Sequence, residues 1–209
     1  MRSFIFVRAV ADMTYIEQIV NIAKEHNGMV TATQVTEARI PRRCLTEGVK
    51  KNRLFKVDRG VYVLPDIWED EMLIFQYKYP KGIFSFGTAL YLHGLTDRTP
   101  LRYTMTFPQG YNISAAQKNG VDAKIVTEQH YPLGVMEMNS PSKNKIKVYD
   151  QERTLCDIVR GKNAVDVQVV NAAMKSYIKS REKNIDKLYR YAEKLRVKTK
   201  IAQYMEVLL

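Results

Sequence analysis

A chain of 209 residues has room for a small domain beside a larger one, and hydrophobic residues at 45% with charged residues at 26% exclude a largely disordered polymer. The 33 Lys and Arg against 22 Asp and Glu leave a formal charge of +11, which favours partners of dense negative charge. The longest apolar run, Phe4–Val7 continued by Ala9–Ala11 beyond Arg8, is too short to span a bilayer and lacks a cleavage signature, so no membrane partner and a cytoplasmic location are expected.

Residues 1–13 read as an N-terminal extension holding a short strand at Phe4–Val7. From Thr14 the pattern turns helical: Ile16, Ile19, Val20 and Ala23 recur at i, i+3, i+4 and i+7. Thr14 with Glu17 suits the start of this first helix, and Asn27-Gly28 suits its end. Thr31 or Thr33 caps a second, short helix through Val35–Ala38, which Ile40-Pro41 breaks. Pro41 fits the opening turn of a third helix over 42–51, with Leu45, Gly48 and Val49 on one side and Arg42, Arg43, Thr46 and Lys50 on another. Leu54–Val57 and Val61–Leu64, joined through Asp58-Arg59-Gly60, read as a β-hairpin. Three short helices followed by a hairpin predict a winged helix-turn-helix over 14–65.

Residues 66–80 are expected to link this unit to a second domain over 81–209, with a bridging helix inside Trp68–Tyr79. A helix at Thr88–Leu92, a strand at Tyr103–Phe107 and a turn at Pro108-Gln109-Gly110 follow; the stretch 111–149 mixes β-like pieces such as Ala123–Thr127 with turn residues. Helical periodicity returns after Asp150 in four groups: Leu155, Ile158 and Val159; Val165, Val169, Ala172 and Ala173; Leu188, Tyr191, Ala192 and Leu195; Ile201, Tyr204, Met205 and Leu208. The fold class is therefore α+β, an N-terminal winged helix-turn-helix followed by a mixed α/β domain with several C-terminal helices.

Arg reads guanine bidentately in the major groove and Thr donates, accepts or meets a thymine methyl, so base contacts are expected from Arg42, Arg43, Thr46 and Lys50. Lys51, Asn52 and Arg53 suit phosphates, while Lys56 and Arg59 on the wing suit backbone or minor groove. A merely solvated basic face is the alternative, and winged helices also serve protein contacts. Lys183, Lys187, Arg190, Lys194 and Arg196 form either an auxiliary nucleic-acid surface or another solvated face.

No P-loop, GxSxG, HExxH or dinucleotide fingerprint occurs, so no enzyme, catalytic residue, cofactor or metal is expected. Cys44 and Cys156 lie far apart with no ligand-spaced neighbour, which argues against a disulfide or zinc site. Asp150, Glu152 and Asp157 would hold a metal, or serve a phosphotransfer enzyme, only if they converged; an Arg153–Asp157 pair at i, i+4 is the simpler expectation. His93, in an apolar setting, reads as a hydrogen-bonded core residue and not as a general base.

The strings Thr88-Ala-Leu-Tyr-Leu-His-Gly-Leu-Thr-Asp-Arg-Thr-Pro100 and Tyr149-Asp-Gln-Glu-Arg-Thr-Leu-Cys-Asp-Ile-Val159 resemble the AbiEi family of abortive-infection antitoxins, and the resemblance extends over nearly the whole chain from Met13. It implies a bacterial or mobile-element regulator that binds inverted repeats in promoter DNA, represses its own operon and counteracts a nucleotidyltransferase toxin encoded beside it. The family is described as type IV, so no stable antitoxin–toxin complex is assumed; direct protein–protein inhibition of the toxin is the alternative. The family pattern often places a polar His-Glu pair before the Thr-Ala-Leu segment, where this chain has Phe86-Gly87, so no role for such a pair carries over.

Overall fold

A computed structural model describes residues 13–67, 70–160 and 165–208. The expected extension through residue 12, its strand at Phe4–Val7, and Trp68 lie outside the described residues. The chain divides into two compact units between Lys78 and Tyr79.

In the first unit, α1 (Tyr15–Glu25) starts on the capping box anticipated from Thr14 and Glu17: the Glu17 N–H donates to Thr14 Oγ1 at 3.3 Å and the Thr14 N–H to Glu17 Oε2 at 2.8 Å. Its apolar stripe, Ile16, Ile19, Val20 and Ala23, is buried. Left-handed Asn27 and Gly28 close it, with the Gly28 N–H donating back to the Ala23 carbonyl at 2.7 Å. The short strand β1 (Met29–Thr31) comes next, a segment too brief to show a period in the sequence. Of the two threonines, Thr31 caps α2 (Ala32–Glu37), exchanging bonds with Gln34 at 2.8 and 3.1 Å. Helix α2 closes before Pro41 is reached. Arg39 adopts φ 58°, its N–H bonds to Thr36 and that of Ile40 to Val35, the Schellman pattern, and Ile40 and Val35 are both buried.

Helix α3 (Arg43–Lys50) and the hairpin β2 (Phe55–Asp58) and β3 (Val61–Val63) complete the winged form. The sheet runs β1-β3-β2, all antiparallel, with Val63 facing Met29 on one side and Phe55 on the other. Ile19, Ala23, Val30, Val35, Leu45 and Leu54 form the core. Within the span read as a linker, α4 (Glu71–Lys78) packs Leu73 with Met29 and Val63.

The second unit opens with β4 (Ile83–Phe84), α5 (Phe86–Leu92), β5 (Thr104–Pro108), α6 (Ser114–Lys118) and β6 (Asp122–Val126). The hairpin β7 (Val135–Asn139) and β8 (Lys145–Tyr149) follows, then α7 (Gln151–Ile158), α8 (Val167–Lys179), α9 (Ile185–Lys194) and α10 (Lys198–Leu208). The sheet order is β6-β5-β4-β8-β7; β5–β6 and β4–β8 are parallel, and the other pairs antiparallel. Helix α7 packs against α5, α8 and α9. Leu155 and Ile158 join Val170, Leu188, Leu195 and Ile201 in one apolar cluster, whereas Ala172, counted on the same stripe from spacing, is exposed.

Every residue of α7 from Glu152 to Ile158 is buried, charged ones included, so each charge needs a partner. Arg153 is 1% exposed; its Nε donates to Asp157 Oδ2 at 2.9 Å, its Nη1 to the Leu133 and His130 carbonyls, and its guanidinium lies 4.3 Å over the Tyr149 ring. Gly134 admits that stem: it has φ +80°, and a Cβ there would stand 2.7 Å from Arg153 Cβ. Burial pushes the Asp157 carboxyl above its ordinary value while Arg153 pulls it back. Asp150 and Glu152 turn instead to Lys187 Nζ, at 3.0 and 3.1 Å, and Tyr177 adds a hydroxyl bond to Glu152. Burial disfavours the Lys187 charge, but the two carboxylates more than offset it and hold the ammonium above its ordinary value. The three acids thus serve two separate cations and do not converge.

His93 Nε2 sits 2.7 Å from the Tyr149 carbonyl, which only accepts, so this nitrogen carries the proton. Burial lowers its pKa, as befits a neutral structural imidazole. Cys44 and Cys156 are both buried free thiols, one in each unit, and burial pushes the Cys156 thiol up.

Removing one partner of a buried pair strands the other. Asp157→Ala is expected to cost the second unit about 3 to 5 kcal/mol, read as a lowered urea midpoint; a loss below about 1 kcal/mol would show that the carbonyls alone satisfy Arg153.

Candidate nucleic-acid interface

Helix α3 owes its two faces to residue spacing. Cys44, Leu45 and Gly48 are buried where α3 packs on α1, and Arg43, Thr46, Glu47 and Lys50 are exposed. At 100° per residue these four span an arc of about 100°, and eight residues make a rod about 12 Å long, which suits a major groove of similar width. Glu47, which the sequence grouping omitted, therefore shares the face with three of the four predicted readers, Arg43, Thr46 and Lys50. Its position on the same helical projection was the available signal, and a carboxylate there accepts from cytosine N4.

Arg42 precedes α3, and its exposed guanidinium donates Nε–H to Thr36 Oγ1 at 2.8 Å, tying it toward α2 and away from the Arg43–Lys50 face. Exposed Arg39, also absent from the sequence expectation, projects from the turn between α2 and α3. At the far end of α3, Asn52 has φ 54°; its N–H bonds to Val49 and that of Arg53 to Gly48, closing the helix. Asn tolerates this left-handed conformation, which explains the residue type on structural grounds. Lys51 and Arg53 on either side are exposed.

Leu54, fully buried, turns the chain from α3 into the wing by lying against Gly48: a Cβ at 48 would come within 2.8 Å of Leu54 Cδ1. Beyond it Lys56 and Arg59 are exposed. A bulge interrupts the hairpin between Lys56 and Asp58, and Asp58 accepts from the Arg59 N–H at 2.6 Å and lies 3.8 Å from Lys78 Nζ.

The C-terminal cations belong to the second unit, and their environments differ. Lys187 is drawn inward to Asp150 and Glu152, which removes it from a solvent-facing set. Lys183 Nζ reaches the Ser180 carbonyl at 3.4 Å but stays exposed, as do Arg190, Lys194 and Arg196. Among the described residues no group of three His, Cys, Asp or Glu is placed to hold a metal ion, and no helix is long and apolar enough to cross a membrane.

Residues 17–65 match the family described as transcriptional regulator, AbiEi antitoxin. The similarity to that family is confined to this stretch. The stretch contains α2, α3, the wing and nearly all of α1, and with them every basic residue from Arg39 to Arg59. The AbiEi match supports, in general terms, a DNA-binding regulator of the antitoxin kind. No curated protein matches the chain in sequence. The crystal structure of the RV2827C protein from Mycobacterium tuberculosis is similar in fold, with a TM-score of 0.57 over 87% of this chain and 72% of that one at 13% identity.

Because Leu54 must rest on a side-chain-free Gly48, Gly48→Ala is expected to lower the stability of the first unit by about 1 to 3 kcal/mol through overpacking. An unchanged denaturant midpoint would show that Leu54 repacks without strain.

Proposed function

We propose that the protein is an antitoxin and autorepressor: α3 enters the major groove at inverted repeats in the promoter of its own operon, and the protein counteracts a nucleotidyltransferase toxin encoded beside it, with no stable complex required. The observation that carries the DNA half is the single exposed face of α3, where Arg43, Thr46, Glu47 and Lys50 present hydrogen-bonding groups matched to base edges while the opposite face is committed to the core. Arg39 and Arg42 at one end, Lys51 and Arg53 at the other, and Lys56 and Arg59 on the wing surround that face with cations suited to phosphates, which position the helix without reading sequence. Asn52 acts by closing α3 and contributes to DNA through its neighbours. Arg190, Lys194 and Arg196 supply auxiliary contacts to nucleic acid, and Lys183 extends them; Lys187 works inside the second unit. The antitoxin activity, regulatory and not catalytic, rests with the second unit, and the setting is phage defence by abortive infection of type IV.

Gel shifts on the operon's upstream region across a salt series test this. Arg43→Ala is expected to weaken promoter binding by about 1 to 3 kcal/mol and to erase most of the preference over unrelated DNA. Lys51→Ala should weaken all DNA alike and reduce the slope of log K against log salt by about one unit. Equal shifts of promoter and unrelated duplex by the wild type would refute the repressor reading.

A further inference from the structure

The second unit carries an open pocket, a cavity of about 340 Å³ whose walls include Phe86, Lys124, Asp157 and Arg160. That volume lies within the range of small-ligand sites. Its charged groups are unevenly engaged. Among the described residues Lys124 pairs only with Asp122, at 3.0 Å, in a pair whose acid is 45% exposed and so screened by solvent. Arg160 makes no ion pair among the described residues. In the same wall, Asp157 gives Oδ2 to Arg153, while its Oδ1 takes no hydrogen bond from any described residue.

The remaining wall holds a strained residue. Phe86 has φ +49°, a conformation that a bulky side chain avoids, and it is clamped from both sides. The Ser85 N–H donates to the Thr104 carbonyl at 3.0 Å, Thr106 Oγ1 to Ser85 Oγ at 2.8 Å, and the Thr104 N–H to Thr88 Oγ1 at 2.8 Å. Strain over-determined by its surroundings concentrates at ligand clamps.

Two cations, an aromatic wall and a carboxylate oxygen without a hydrogen bond among the described residues suit a molecule that is anionic at one end and planar with N–H donors at the other. We propose that this cavity binds a mononucleotide, its phosphate held by Lys124 and Arg160, an N–H of the base donated to Asp157 Oδ1, and the base lying against Phe86. The site lies wholly in the second unit and is independent of the DNA contacts assigned to α3.

Isothermal titration of the full chain with AMP, GMP, CMP and UMP, with ribose 5-phosphate and guanosine as partial probes, tests it. At least one nucleotide is expected to bind saturably at one site per chain, with ribose 5-phosphate and guanosine each at least about tenfold weaker than the best nucleotide, since each lacks one set of hydrogen bonds. Arg160→Ala and, as a second variant on a strand surface, Lys124→Gln should each weaken binding about tenfold with an unchanged unfolding midpoint. Lys145→Ala, on the distant hairpin edge and 72% exposed, should leave binding as in the wild type. Absence of binding by all four nucleotides at millimolar concentration, ribose 5-phosphate binding as tightly as the best of them, or full affinity in both the Arg160 and Lys124 variants would each overturn the proposal.

Discussion

The seating of α3 is the constraint on which the DNA-facing surface depends. An eight-residue helix has little stability alone, because nucleation costs nearly as much as so few hydrogen bonds return. It persists here because Cys44, Leu45 and Gly48 bury one side and Leu54 folds over the glycine immediately after the helix closes. The same contact sets where the wing begins. Since the buried side admits no further polar residue, Arg43, Thr46, Glu47 and Lys50 can face only water or a ligand. The charges around them arise from helix ends, where Arg39 and Asn52 take the left-handed conformation that stops the chain from running on.

Much of this unit is legible in the sequence, for a physical reason: its elements are specified locally. The Thr14–Glu17 box, the Asn27-Gly28 stop and the hairpin around Arg59-Gly60 each need only neighbours in the chain. What escapes is what depends on distance. β1 is a strand because Val63 pairs with Met29, more than thirty residues away, and nothing in a three-residue segment announces that. The hairpin β7–β8 escapes for a related reason: on β7 the apolar Val135 and Met136 both face solvent, so alternation is lost and register with β8 alone defines the strand. In the candidate site, Glu47 was readable from the projection that gave Arg43 and Lys50, whereas the tether of Arg42 to Thr36 requires the turn to be built first.

The second unit shows the complementary case, in which charge organises the interior. Helix α7 carries Glu152, Arg153 and Asp157 into the core, and a helix read only by its apolar stripe would place them outside. The i, i+4 spacing of Arg153 and Asp157 foretold their pairing, but the Lys187 bridge to Asp150 and Glu152 joins α9 to α7 across the fold and converts one predicted surface cation into a structural one. Truncating any one of these groups leaves a buried charge without its counterpart, so the network fixes how α7 and α9 pack even if its net stabilisation is small. Asp157 also lines the cavity proposed as a ligand site.

The most direct test of the account is photocrosslinking from a reactive side chain placed at position 46, at the centre of the exposed face of α3, to a duplex carrying the operon's promoter. The account predicts crosslinks to bases within the inverted repeats that vanish when those repeats are scrambled, whereas any crosslinks from a probe placed at position 190, an auxiliary contact, do not depend on the repeats. Efficient crosslinking from position 190 with none from position 46 would contradict it and would move the reading surface to the second unit.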